Sequence, residues 1–301
     1  MKFRTILALV AITIVLGFIS LWVGQLSYSW LPPQASVESQ LVDNLFSFLV
    51  TIGTFIFFGV TGTILYSAFF HRAGRYDTSD GPHIEGNVTL EIVWTTIPFL
   101  LVVWIAIYSY QTYQEMGITG PMEMAHLHML ETIPAAYAEA LEETGEPMSK
   151  PMTNIEVEAK QWSWVFRYPE QNITSTELHL PVNRRAHLDL RSPDVIHGFY
   201  IPAFRVKQDI IPHQSTDFEF TPILIGKYRL RDSQYSGTYF AAMQADVVVE
   251  SVEDYQNWLA QTAQTEPSVA PNRAAQEYAR RDQTAWATIV PAEAPVVNYH
   301  P

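Results

Sequence analysis

Three apolar runs without a formal charge stand out before Glu115: Thr5 to Gly24, Asn44 to Phe70 and Ile92 to Gln114. Each meets or exceeds the roughly 20 residues that a helix needs to cross a bilayer. None shows the polar stripe that a soluble helix turns towards water. The second and third runs therefore predict a transmembrane helical hairpin over residues 40–115. The first run, within residues 1–31, follows Lys2 and Arg4 and reads as a secretory signal or a further membrane helix. It is longer than the ~7–15 apolar residues of a signal, and no small-x-small cleavage site follows, which favours a retained helix.

From Thr153 the period changes from none to two. Ile155-Glu156-Val157-Glu158-Ala159-Lys160 alternates apolar and charged side chains and leads into the aromatic block Trp162-Ser163-Trp164-Val165-Phe166. Further strand-like runs cover Glu177–Leu180, Ala186–Leu190, Asp217–Phe220, Gly226–Arg231 and Asp246–Glu250, with Pro, Gly, Asn and Asp between them. Short strands with turn signals predict a β-sandwich or barrel, and residues 153–252 are about the right length for one. Residues 116–152 read as a linker with a short helix near Ala135–Glu143. His126 and His128 within it form an H-x-H pair with no third ligand nearby in sequence, so they read as linker residues. Residues 253–301 read as a helix over Glu253–Ala263 and a mobile Pro/Ala-rich tail.

Charge gives this division a direction. Only 16% of the 301 residues are charged, against about a quarter in soluble proteins. Of the net charge of −13, residues 1–114 hold four basic and six acidic side chains, so most of the excess lies beyond them. Basic residues mark the cytoplasmic side of a membrane. Lys2 and Arg4 place the N-terminus inside, and Arg72 and Arg75 place the turn between the second and third runs inside as well. The acidic domain after residue 115 is then outside, on the periplasmic or lumenal face. Its charge argues against nucleic-acid binding, which needs basic patches.

The chain has no cysteine. That excludes disulfides, thiolate zinc sites, iron–sulfur ligation, blue-copper centres, cysteine nucleophiles and a lipoprotein anchor. No G-x-S-x-G elbow suggests a hydrolase, and no C-x-x-C-H run suggests an attached haem.

Several motifs together resemble subunit II of the haem–copper terminal oxidases. Gly81-Pro-His-Ile-Glu-Gly-Asn87 followed by Leu90-Glu91-Ile-Val-Trp94-Thr-Thr-Ile-Pro98 is similar to that family's approach to its second core helix. Gln161-Trp162-Ser-Trp164 resembles its aromatic strand. Asp194-Val-Ile-His197 and Lys207-Gln-Asp209-Ile-Ile-Pro212 resemble its first copper loop. Tyr235, Gly237-Thr238-Tyr239 and Met243-Gln-Ala-Asp-Val-Val-Val249 resemble its last loop and strand. The resemblance implies a membrane-α plus all-β chain whose outer domain is a cupredoxin-like β-sandwich.

In most of that family the outer domain carries a dinuclear copper centre bridged by two thiolates of a C-x-E-x-C run. By resemblance, Asp232 and Ser236 stand at the thiolate positions, Phe240 at a histidine position and Gln234 at that of a magnesium-facing glutamate. Only His197 and Met243 remain as ligand types, with the Gln234 carbonyl. Neither a carboxylate nor a hydroxyl can replace a bridging thiolate in a copper pair. The expectation is no metal on this chain, including none held singly by Asp232, His197 and Met243. The haems and copper are expected in subunit I.

The resemblance then implies a terminal oxidase, of the type found in quinol oxidases and cyanobacterial alternative respiratory oxidases, that oxidises quinol and reduces dioxygen. Its partners would be subunit I, subunit III, membrane lipid and, through subunit I, quinol. Glu91 matches a carboxylate near the mouth of a proton path. Trp162 matches the tryptophan where electrons enter, and without copper it is expected to stack in the sandwich core or at an interface, beside Trp164. Asp194, Lys207 and Asp209 match contacts to subunit I. Two alternatives stay open: a soluble donor feeding electrons by another route, and a membrane-anchored binding or assembly protein.

Overall fold

The computed structural model describes residues 3–72, 74, 76, 86–116, 152–280 and 289–298. His126, His128, the helix expected near Ala135–Glu143 and residues 81–85 of the motif before the third apolar run lie outside them. The chain divides into two compact units, Met1–Leu31 with Asp43–Thr112, and Pro32–Val42 with Tyr113–Pro301.

All three apolar runs are helices: α1 (Phe3–Ser27), α2 (Val37–Phe70) and α3 (Val88–Met116), each long and apolar enough to cross a membrane. Their Leu, Ile and Phe side chains point outwards. The contact between α1 and α2 uses other residue types. Ser47 Oγ of α2 donates to the Gly24 carbonyl of α1 at 2.8 Å, and Ser20, Gly24 and Ser27 are buried. Small residues at helix crossings are the rule in lipid, where apolar side chains gain nothing by leaving the solvent. Phe48 of α2 meets the edges of Trp104 and Tyr108 of α3 at 5.0 and 5.1 Å. Pro98 sits inside α3, a position that membrane helices tolerate.

The outer unit is a sandwich of two five-stranded sheets. The first has β1 (Thr153–Lys160), β2 (Ser163–Tyr168), β3 (Ile173–Ser175), β5 (Ala186–Arg191) and β8 (Ser215–Phe220) in the order β3-β2-β1-β5-β8. The second has β4 (Leu178–Pro181), β6 (His197–Ile201), β7 (Val206–Ile210), β9 (Gly226–Asp232) and β10 (Gln244–Glu250) in the order β4-β10-β9-β6-β7. The β1–β5 and β4–β10 pairs are parallel and the others antiparallel. The alternation in β1 is the burial pattern itself: Ile155, Val157 and Ala159 face the core, while Glu156 and Glu158 face away from it. Trp164, Phe166, Phe199, Phe218 and Phe220 fill the space between the sheets.

The polypeptide before α2 is stitched to this sandwich. Ala35 N–H donates to the Ala203 carbonyl at 3.1 Å, Val37 N–H to Thr221 at 3.0 Å, and Ile223 N–H to Ala35 at 2.9 Å. After β10, Ser251 caps α4 (Val252–Thr262) by accepting the Asp254 N–H. Tyr255, Leu259 and Thr262 turn one face of α4 inwards, and Trp258 stacks on His179 at 3.9 Å. The sequence suggested a mobile tail here, but much of it is fastened. A helix, α5 (Arg273–Arg280), forms, and β11 (Ser268–Val269) pairs with β12 (Val296–Val297). Asn298 N–H donates to the Thr174 carbonyl on edge strand β3, and Ala292 N–H to Gln161. Backbone groups free on a sheet edge give the tail its attachment points.

Candidate functional site

The loops at one end of the sandwich bring together the residues that the sequence singles out there. His197 opens β6 and is wholly buried. Asp232 closes β9, the strand next to it, where β6–β9 pairing sets Phe199 opposite Asp232. The His197 Nδ1–Asp232 Oδ2 distance is 2.8 Å. On the other side of the ring, Nε2 lies 3.1 Å from Asp194 Oδ1.

Each carboxylate is also saturated by other donors. Asp232 accepts the N–H groups of Gly198 at 2.8 Å and Gln234 at 3.0 Å, and the hydroxyl of Ser236 at 2.7 Å. Asp194 accepts the N–H groups of Gln161 and Val195, both at 2.7 Å. Both ring nitrogens thus lie within hydrogen-bond distance of a carboxylate oxygen. Partial burial pushes the Asp194 carboxyl up, but the two N–H donors and His197 outweigh it and hold this carboxyl below the ordinary aspartate range.

Two glycines allow the close packing. A Cβ on Gly198 would lie 2.2 Å from Ser233 Oγ and 3.0 Å from Gln234 N, so the β9–β10 loop lies directly on β6. Gly237 has φ +112°, and a Cβ there would come within 2.8 Å of the Trp162 ring. A side chain at either position would displace the loop.

The remaining candidates sit around this centre. Trp162 is buried, and its indole N–H donates to the Ser236 carbonyl at 3.1 Å. Tyr239 meets its edge at 5.1 Å and faces Tyr278 of α5 at 6.3 Å. Trp164 N–H donates to the Met243 carbonyl at 3.3 Å, and the ring lies 6.3 Å from His197. Met243 is buried, and its carbonyl also accepts the Asp232 N–H. Phe240 meets exposed Tyr235 at 5.3 Å. Gln234 Nε2 donates to Asp209 Oδ2 at 2.8 Å, and Lys207 lies 3.5 Å from the other oxygen of Asp209. Glu91 belongs to the helical unit, in the first turn of α3 beside Gly86, where the Asn87 side chain accepts the Leu90 N–H.

Sequence reasoning placed Asp194 at a subunit contact and did not foresee its carboxylate on the His197 ring. The D-x-x-H spacing was the available signal. Gln161 and Gly198 were not singled out as donors to the carboxylates, because backbone N–H groups carry no sequence signature.

Two family models cover this architecture. The model described as "Cytochrome C oxidase subunit II, transmembrane domain" matches residues 20–112, and that described as "Cytochrome C oxidase subunit II, periplasmic domain" matches residues 173–252. The chain belongs to the subunit II family of haem–copper oxidases. It is 34% identical over 270 residues to "Cytochrome c oxidase subunit 2" of Synechocystis, across 84% of this chain and 81% of that one. It is 28% identical over 273 residues to "Quinol oxidase subunit 2" of Bacillus subtilis, across 89% of this chain and 75% of that one. The crystal structure of the periplasmic domain of subunit II of cytochrome oxidase from Bradyrhizobium japonicum aligns with 38% of this chain and 94% of that one, at 25% identity and a TM-score of 0.35. Subunit II is thus a bacterial membrane protein of a respiratory terminal oxidase. Its apolar helices span the membrane, and its cupredoxin-like β-sandwich is periplasmic.

A dinuclear copper centre does not fit the donor set of this subunit II. A copper-binding histidine must offer a lone pair, and both nitrogens of His197 face carboxylates. The Ser236 hydroxyl spends its proton on Asp232, and Phe240 has no donor atom. Among the described residues, no group of three His, Asp or Glu side chains is arranged to hold a metal ion.

Proposed function

We propose that this subunit II serves an oxidase that draws its electrons from a membrane quinol, with no copper relay in the outer domain. The carrying observation is His197, whose two ring nitrogens are both engaged by carboxylates where a copper ligand would need a free lone pair. Trp162 supports the same reading. It is 2% exposed, braced by Ser236 and Tyr239, and next to Gln161, which the C-terminal segment grips through Ala292. A soluble donor would meet a covered ring with no metal behind it. Quinol dissolves in the bilayer and reaches subunit I without passing through this domain.

In this function the outer domain caps subunit I through the loop end that carries Asp194, Lys207 and Asp209, and dioxygen is reduced at haem and copper in subunit I. Glu91 takes up protons on the cytoplasmic side. A carboxylate at a membrane boundary can exchange with bulk water and hand protons inwards. Glu91→Ala is then expected to slow oxygen reduction in the assembled complex.

A second reading, electron delivery by a soluble cytochrome, is favoured by the higher identity to a relative named for cytochrome c oxidase. One experiment separates the two. The purified complex is supplied with quinol or with reduced cytochrome c, and oxygen uptake is followed while copper bound to subunit II is measured. Quinol-driven uptake with no copper on this chain is expected. Fast cytochrome c turnover without quinol activity would overturn the proposal.

A further inference from the structure

The chemistry of the loop end suggests what took the place of a metal there. Three segments meet: the β5–β6 loop, which crosses from one sheet to the other, the β9–β10 loop, and the β1–β2 turn at Gln161. Asp194 belongs to the first and Asp232 to the base of the second, and His197 lies between them. The side chains of His197 and Asp232 are both wholly buried. Gln161 joins the turn to both loops, by its N–H to Asp194 at 2.7 Å and by its side-chain amide to the Ser236 carbonyl at 2.6 Å.

We propose that the Asp194–His197–Asp232 triplet is a metal-free ionic cross-link that closes this end of the sandwich and fixes the shape of its three loops. A metal centre holds loops together by binding donors from each of them at one point. Here an imidazole does so, with a carboxylate oxygen at each ring nitrogen and backbone N–H groups satisfying the remaining oxygen lone pairs. The arrangement meets the two conditions under which buried charges persist, pairing and full hydrogen bonding. Its arms radiate outwards: Asp232 Oδ1 holds the N–H groups of Gly198 and Gln234, Asp232 Oδ2 holds Ser236, and Asp194 holds Gln161 and Val195. The loop end therefore keeps its form whatever the copper supply. The cross-link works in the same way whichever donor feeds the oxidase.

Hydrogen–deuterium exchange on the full-length chain in its purified complex tests this directly. The amides of Gln161, Val195, Gly198 and Gln234 should be protected equally with EDTA, without it and with added copper(II). Asp232→Asn takes one of the two carboxylates from the ring, and His197→Gln takes the ring from both carboxylates. Each should speed exchange at Gly198 and Gln234 by about a hundredfold or more. The double variant removes the His197–Asp232 pair together and should be less damaged than the two single effects combined. Should the single variants not fold, Ser236→Ala removes one donor to Asp232 and should speed exchange at Gln234 by roughly fivefold. Loosening of the loops by EDTA, single variants with full protection, strictly additive single and double effects, or a Ser236→Ala chain that exchanges like the wild type would each overturn the cross-link. Cytochrome c-driven turnover would overturn the proposed donor and leave the cross-link standing.

Discussion

In α1 and α2, Phe18 is 69% exposed and Phe57 60%, whereas Phe166, Phe199 and Phe218 of the sandwich have no exposed surface at all. The residues buried in the three helices are small or polar: Ser20, Gly24, Ser27, Glu38, Ser39, Asp43, Ser47 and Thr112. One chain thus follows two opposite rules, because its parts fold in two solvents. In water, burying an aromatic ring drives packing, at about 25 cal/mol per Å² of apolar surface. In lipid that drive vanishes, and helices meet where small residues let backbones approach and hydroxyls bond to carbonyls. The same side chain carries opposite structural weight in the two units.

The largest test of that contrast sets Phe199→Ala against Phe57→Ala. Phe199 packs against Trp164, Phe218 and Phe220, so its truncation should cost about 3–5 kcal/mol in chemical unfolding of the outer domain. Phe57→Ala in detergent should stay within about 0.5 kcal/mol. Equal losses would end the comparison.

A second test reverses the direction by adding bulk among the helices. A Cβ on Gly24 would lie 2.0 Å from Thr51 Oγ1 and 3.2 Å from the Ser47 carbonyl, while nothing stands within 4 Å of one on Gly62. Gly24→Leu should therefore destabilise the helical unit by about 1–3 kcal/mol, as overpacking does. Gly62→Leu should be tolerated. Thermal unfolding in detergent separates the pair, and a harmless Gly24→Leu would mean that the crossing contributes nothing.

Smaller effects sharpen the aqueous side. Ser251 caps α4 through the Asp254 N–H at 3.0 Å, so Ser251→Ala should cost about 1 kcal/mol, read from the unfolding midpoint of the outer domain. The smallest effect concerns acid. Asp194 and Glu177 both lie below their ordinary range. At Asp194, hydrogen bonds from Gln161, Val195 and His197 overcome the effect of burial; at Glu177, the hydrogen bond with His179 dominates. A carboxyl depressed in the folded state stabilises it fully above the unfolded value, about pH 4, and less as pH falls through the folded value. The outer domain should thus lose stability on acidification below about pH 4, more steeply than an Asp194→Asn variant. Parallel pH curves for the two would remove Asp194 from the account.

Where the sequence was legible, one face of an element met the core and the other met water. The alternation of Ile155–Lys160 became β1, and the runs at Ala186–Leu190, Asp217–Phe220, Gly226–Arg231 and Asp246–Glu250 became β5, β8, β9 and β10 within a residue or two of the expected ends. β6 was not legible, because four of its five residues are buried and no alternation survives. β3, with three residues, is too short to leave a pattern. The helix Arg273–Arg280 and the β11–β12 pair escaped notice because the Pro/Ala-rich composition around them resembles a loose tail, while their attachment depends on the distant Gln161 and Thr174.

The absence of cysteine and the three uncharged runs settled two matters from sequence alone: which solvent each part of the chain occupies, and that no thiolate can bridge metals at positions 232 and 236. Such properties belong to residues singly or to runs of neighbours, so no fold is needed to read them. The fate of His197 is of another kind. Asp194 is three residues away, but Asp232 is thirty-five residues further along the chain, reached only because β9 pairs with β6. Hydrogen bonds act over about 3 Å, and nothing in a linear string says which distant carboxylate will come that close; tertiary structure decided that both nitrogens of this histidine would be taken.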